Sequence, residues 1–82
     1  MNLIVLTPEK EIYQGSVTSV KVPGITGQFE ILNNHAPIVA ALGSGDVRIL
    51  DNSGEKKIFK IKKGFVEVIK NEISLLVQGV QE

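Results

Sequence analysis

Cysteine is absent from the 82 residues, and so is tryptophan. No thiolate is available as a nucleophile, a metal ligand or half of a disulfide, so apolar burial alone must hold the fold. Histidine occurs once, at His35. One imidazole with only carboxylates to join it makes a weak zinc set. As a general base it would need a nucleophile and an orienting carboxylate, yet its polar sequence neighbours are Asn33 and Asn34. A structural or contact role suits His35 better than catalysis. An excess of either charge is also missing, since nine Lys and Arg balance nine Asp and Glu. General binders of nucleic acid or anionic membranes are distinctly basic. The longest unbroken apolar run, Ile38 to Leu42, is far short of the ~20 residues that span a bilayer. Leu3 to Leu6 has no basic flank and no small-residue cleavage site, so the chain reads as soluble, unprocessed and cytoplasmic unless a partner holds it elsewhere. There is no P-loop or dinucleotide fingerprint, and the carboxylates are scattered rather than paired.

What remains is rich in β-branched residues. Isoleucine and valine occur ten times each, against seven Leu and three Ala. Branching at Cβ stiffens a side chain and suits a pleated surface. Short candidate strands separated by turn signals point to one all-β domain over residues 1–82, a sandwich or a barrel. The strands expected are Asn2–Thr7, Ser16–Val22, Gln28–Leu32, Ile38–Ala41, Asp46–Leu50, Lys56–Lys62, Phe65–Ile69 and Ile73–Val77, with a small apolar step at Ile12 and Tyr13. Val17 is out of phase with Val20 and Val22, which predicts a bulge near Thr18. Pro23-Gly24 suits a type II turn. Phe29 alternates with Ile31 and is expected between the sheets; Ile38–Ala41 is expected to be buried. Turns are also expected at Asn33–Pro37, Asp51–Gly54, Lys63-Gly64 and Lys70–Glu72. Asn tolerates the left-handed region such loops require.

Two short motifs invite chemistry. Gly24-Ile25-Thr26-Gly27 spells GxxG, which clamps a nucleic-acid backbone only between two helices; among strands it reads as a tight turn. Lys56, Lys57, Lys60, Lys62 and Lys63 gather five of the nine cations in one segment. With Phe59 they could form a nucleic-acid face. Alternation instead turns Phe59 and Ile61 inward and Lys60 and Lys62 outward, the pattern of an edge strand protected from aggregation.

The run Val22-Pro-Gly-Ile-Thr-Gly-Gln-Phe-Glu-Ile-Leu-Asn-Asn-His-Ala-Pro37 resembles the signature of the epsilon subunits of F-type ATP synthases, called delta in mitochondria. Gly45-Asp-Val-Arg-Ile49, Gly64-Phe-Val-Glu-Val68, Asn71 and the opening Leu3–Pro8 extend the likeness over nearly the whole chain. The resemblance implies a flattened antiparallel β-sandwich of about ten short strands in two sheets. It implies a non-catalytic rotor part without cofactor or metal, a monomer alone, joining the gamma subunit to the c-ring of a proton-translocating enzyme. The implied location is the cytoplasmic face of a bacterial plasma membrane, in a peripheral complex that is not inserted. By position, Thr7, Pro8, Glu9, His35 and Ala36 match gamma-facing elements, and Thr26, Gly27, Gln28 and Glu30 match the part nearest the c-ring. Longer relatives add a C-terminal helical hairpin that inhibits hydrolysis. Only Gly79–Glu82 follows the last expected strand, so assembly without that inhibition and without ATP binding is the expectation. The rival readings are a stand-alone peptide or carbohydrate module and a small enzyme using His35.

Overall fold

Eight strands and no helix make up the computed structural model, which describes residues 1–81. They are β1 (Asn2–Leu6), β2 (Glu11–Gly24), β3 (Gly27–Leu32), β4 (Ile38–Leu42), β5 (Gly45–Asp51), β6 (Lys56–Ile61), β7 (Lys63–Ile69) and β8 (Glu72–Gln78). The count is below the expected ten, in part because Ile12, Tyr13 and Ser16–Val22 belong to one 14-residue strand. Gly15 does not break it. The Tyr13 ring lies over Gly15, with its hydroxyl 3.4 Å from where a Cβ would stand.

That long strand serves both layers. Its first half pairs with β1, from Leu6 opposite Glu11 to Asn2 opposite Ser16. Its second half pairs with β3 and β5. The register with β5 slips between Val17 and Ser19, at the expected bulge. The slip puts Val17, Val20 and Val22 all in the core, and a bulge bends its strand. One layer is then β4-β7-β8-β1 with the start of β2; the other is β3, the end of β2, β5 and β6. All ladders are antiparallel except β1 with β8, which is parallel because β1 inserts between β2 and β8. Inward-facing Val5, Ile31, Phe59, Val66 and Leu75 fill the space between the layers.

β6 ends the strand order, and Phe59 and Ile61 face inward while Lys56, Lys60 and Lys62 are exposed. The chain returns to cover this edge at one point, where Lys60 and Gln81 exchange two backbone hydrogen bonds of 2.8 Å. Asp51 caps the β5–β6 loop by accepting from the Ser53 hydroxyl (2.7 Å) and the Glu55 amide (2.9 Å). Those bonds, the hydroxyl's first, hold its carboxyl below the ordinary aspartate range.

Four local expectations are corrected. The β2–β3 turn is Ile25-Thr26, one pair later than Pro23-Gly24, because Gly24 still pairs with Gly27. A Cβ on Gly24 would stand 2.6 Å from the Gly27 carbonyl oxygen and 2.9 Å from the Phe29 ring. Glycine is needed there for close approach. Phe29, holding that position, is half-buried rather than central, and Ile31 takes the fully buried place. Strand β4 is not buried throughout, since Val39 is 73% exposed. Finally, Lys63-Gly64 is the start of β7 rather than a turn.

Gly64 carries the clearest steric demand. A Cβ there would overlap the Leu76 carbonyl oxygen and stand 3.1 Å from the Val77 Cα. Backbone cannot step aside as a flexible side chain can, so Gly64→Ala should cost about 2 kcal/mol, the middle of the overpacking range. In a domain of this size that lowers the melting temperature by roughly 10 °C. Gly43→Ala is the control, because nothing lies within 4 Å of its Cβ position. Equal melting temperatures for the two variants would refute the crowding at Gly64.

Candidate functional site: an apolar sheet face and its two ends

Strand alternation gives the β4-β7-β8-β1 layer an inner and an outer face. Ala40, Val66, Leu75 and Val5 are in register on the inner one. The neighbouring row, Ala41, Phe65, Leu76 and Leu6, is in register on the outer one. Phe65 is 59% exposed and Leu76 53%. Val39 and Ile69 add exposed apolar surface to the same face, beside Glu67, Glu72 and Ser74. Pro8 and Ile25 flank the first row, and together these residues line an open groove of about 560 Å³. Exposed apolar surface of this continuity marks a contact site, because single apolar residues scattered on a surface do not line up in rows.

The two ends of this face hold the loops singled out in the sequence. At the end where β1 and β8 finish, Thr7 shapes a turn. Its hydroxyl oxygen accepts from the Lys10 and Glu9 amides (3.1 and 3.3 Å), and its own amide donates to the Lys10 carbonyl (2.8 Å). Pro8 and Glu9 are exposed at its tip. The Ile25-Thr26 turn meets the same end, with the Ile25 amide on the Ala41 carbonyl at 3.2 Å. Thr26, Gly27, Gln28 and Glu30 are all exposed, the last three on β3.

His35 and Ala36 are elsewhere. Their loop sits beside the β7–β8 turn, at the opposite end of β8, where Asn34 donates to Asn71 Oδ1 (2.7 Å). Asn71 Nδ2 in turn donates to Asn33 Oδ1 (2.7 Å). Asn34 has φ 64°, the left-handed conformation expected of this loop. Lys70 and Asn71 have φ 48° and 65°, which gives the β7–β8 hairpin its type I′ turn. The His35 amide donates to the Leu32 carbonyl (3.1 Å), and His35 Nδ1 lies 2.7 Å from the Ala36 carbonyl oxygen. The structure thus groups Thr7–Glu9 with the Thr26 turn and sets His35–Ala36 about one strand length away, roughly 15 Å at ~3.3 Å per residue.

The chemistry of this surface is contact. Among the described residues no buried polar or charged side chain occurs, and no three His, Cys, Asp or Glu converge as metal ligands. The hydrogen-bond partners of His35 are two backbone carbonyls, Ala36 for its ring and Leu32 for its amide. The sequence reading missed the apolar face. Its signal was present in Phe65, Ile69 and Leu76, apolar residues out of phase with the inward Val66, Val68, Leu75 and Val77.

Comparison with known proteins agrees with this architecture. The family model for the ATP synthase delta/epsilon chain β-sandwich domain matches residues 1–82. An ATP synthase epsilon chain of Chlorobium limicola is 44% identical over 78 residues, covering 95% of this chain and 89% of that one. The epsilon chain of a Leptospira interrogans strain is 48% identical over 77 residues; the match covers 93% of this chain but only 59% of the relative. Among solved structures, a chain of the Euglena gracilis mitochondrial ATP synthase superposes with a TM-score of 0.89 at 20% identity, over 96% of this chain and 51% of that one. A chain of the Tetrahymena thermophila mitochondrial ATP synthase central stalk and c-ring gives 0.85 at 19%, over 99% and 65%. At such identities the superpositions speak for the fold alone. With the family model matched along its length and a relative 44% identical over most of both chains, the protein belongs to the family of ATP synthase delta/epsilon chain β-sandwich domains.

Proposed function

We propose that this chain is a non-catalytic rotor connector of a proton-translocating F-type ATP synthase, joining the gamma subunit to the c-ring and so coupling ion flow to ATP synthesis. In this reading it is a peripheral part of the complex on the cytoplasmic face of a bacterial plasma membrane and a monomer when isolated. The observation that carries it is the apolar outer face of β4-β7-β8-β1, which runs between the Thr7–Glu9 turn and the His35–Ala36 loop.

Area explains why both ends are needed. Four strands at ~4.8 Å spacing and five residues at ~3.3 Å present roughly 320 Å² in projection. A specific protein contact takes about 800 Å² from each partner. The sheet face alone is too small, so a gamma subunit laid along it must also take in Thr7, Pro8 and Glu9 at one end and His35 and Ala36 at the other. The Thr26 turn, with Gly27, Gln28 and Glu30 on β3, remains exposed at the flank as the surface for the polar c-ring loops. Rotation loads both contacts. A sandwich packed at crystal-like density transmits such torque with little internal yielding.

The test is reconstitution of an enzyme depleted of its epsilon subunit, with ATP synthesis and proton pumping as readouts. The parent chain should restore coupling and co-purify with gamma and the c-ring. His35→Ala should keep the fold, since its side chain bonds only to the exposed Ala36 carbonyl, and should weaken association with gamma by about fivefold, the worth of a modest interface contact of ~1 kcal/mol. A parent chain that neither binds gamma nor restores coupling would sink the proposal; an unaffected His35→Ala would remove that loop from the interface.

A further inference from the structure

The two asparagine bonds at the His35 end span 37 and 38 residues of sequence and tie together the two loops that lie just beyond the end of the β4–β7 ladder, whose last pair is Ile38 with Val68. Asn71 uses both atoms of its amide. Its Oδ1 accepts from the Asn34 backbone and its Nδ2 donates to the Asn33 side chain, each at 2.7 Å. Only one orientation of the Asn71 amide satisfies both partners, so the pair forms a two-point clasp rather than two independent contacts. The Asn71 carbonyl meanwhile accepts from the Asn2 amide (3.1 Å), which fixes the clasp to the start of β1. Turn geometry alone does not call for an asparagine here. Position 71 has φ 65°, which glycine adopts more readily.

Resting on the rotor reading, we infer that Asn71 is the positioning residue of the His35 loop: it holds Asn33 and Asn34 so that His35 and Ala36 face the gamma subunit in a preset conformation. Residues 33–37 form an irregular connection between β3 and β4 with few backbone partners of its own. Without the clasp the loop would have to be ordered during docking, and ordering a mobile segment lowers affinity.

Two substitutions separate the side chain from the turn. Asn71→Gly keeps the left-handed backbone and deletes both bonds. Asn71→Asp also tolerates that backbone and still accepts from the Asn34 amide, while Asn33 can turn its own amide to donate to the new carboxylate. Amide exchange of the isolated chain reads the clasp directly. The Asn34 amide should exchange on the order of tenfold faster in Asn71→Gly, the worth of two exposed hydrogen bonds, and near the parent rate in Asn71→Asp. Affinity for purified gamma should fall about as far in Asn71→Gly and recover in Asn71→Asp, with both variants still folded at the temperature of the measurement. Equal exchange of Asn34 in the parent and Asn71→Gly overturns the clasp. Faster exchange with unchanged gamma affinity overturns the positioning role. A parent chain that does not bind gamma defeats the rotor reading and the docking role with it, and the exchange measurement then still decides whether Asn71 orders the loop.

Discussion

Phe59→Ala should remove about 3–5 kcal/mol of stability, the usual cost of emptying a fully buried aromatic site. Phe59 is 2% exposed and the largest of the fully buried side chains. It sits on β6 opposite Val47 of β5, facing the interior between the two layers. A chain of this length has a total stability of roughly 4–12 kcal/mol, so the substitution removes a large fraction of it and should lower the urea midpoint more than any other single change considered. Phe29→Ala should cost less, about 1–1.5 kcal/mol, because a half-buried ring loses about half the transfer free energy of a buried one. Its ring covers Gly24 at the margin of the core rather than filling its centre. Urea unfolding of both variants checks the ranking. If Phe29→Ala proves as damaging as Phe59→Ala, Phe29 belongs at the centre of the core after all.

The different depths of these two phenylalanines illustrate what the sequence could and could not tell. Alternation placed each ring on the correct side of its strand, because the period of two is a local property. It could not rank them by depth, which depends on how far a strand extends past its neighbours. Phe29 is next to the β2–β3 turn, at the rim, whereas Phe59 points from β6 into the space between the layers, paired with the equally buried Val47 of β5. The bulge near Thr18 was legible because three valines fell out of phase along a few residues. The Ile25-Thr26 turn was misplaced for a similar reason to Phe29: Pro-Gly satisfies a local turn rule, but Gly24 is required by a contact with Phe29 five residues later. Strand β2 looked like two strands because Gly15 is a local breaker signal, whereas its pairing with Leu3 of β1, a long-range contact, carries the strand through it. The site loops were legible as loops. Their distribution over two ends of a sheet was not, since it follows from the parallel insertion of β1 beside β8, a long-range pairing. The apolar outer face was overlooked because an apolar residue on either side of a strand looks like core until the inward set is known.

That face supports the prediction with the largest functional effect. Phe65→Thr should weaken binding to the gamma subunit by about thirtyfold, the ~2 kcal/mol expected of an aromatic anchor at the middle of an interface. Phe65 stands between Ala41 and Leu76 in register, near the centre of the row that ends at Leu6. A partner lying over the row would cover it from all sides, and that exclusion of water is what gives a central aromatic its weight. Threonine keeps β-branching and strand propensity, so the change falls on the surface contact rather than on the ladder. Stability should therefore move by less than about 1 kcal/mol, as for other exposed strand positions. Ile58→Thr provides the comparison. Ile58 is similarly exposed, at 52%, but projects from β6 on the outer face of the other layer. Calorimetric titration of each variant with gamma should find Phe65→Thr impaired and Ile58→Thr near the parent value. If Ile58→Thr is the impaired one, gamma lies on the β3-β2-β5-β6 layer, and the basic strand β6 rather than the apolar row is its seat. If neither changes, binding runs through the end loops alone, and the row of Phe65 and Leu76 has some other occupant.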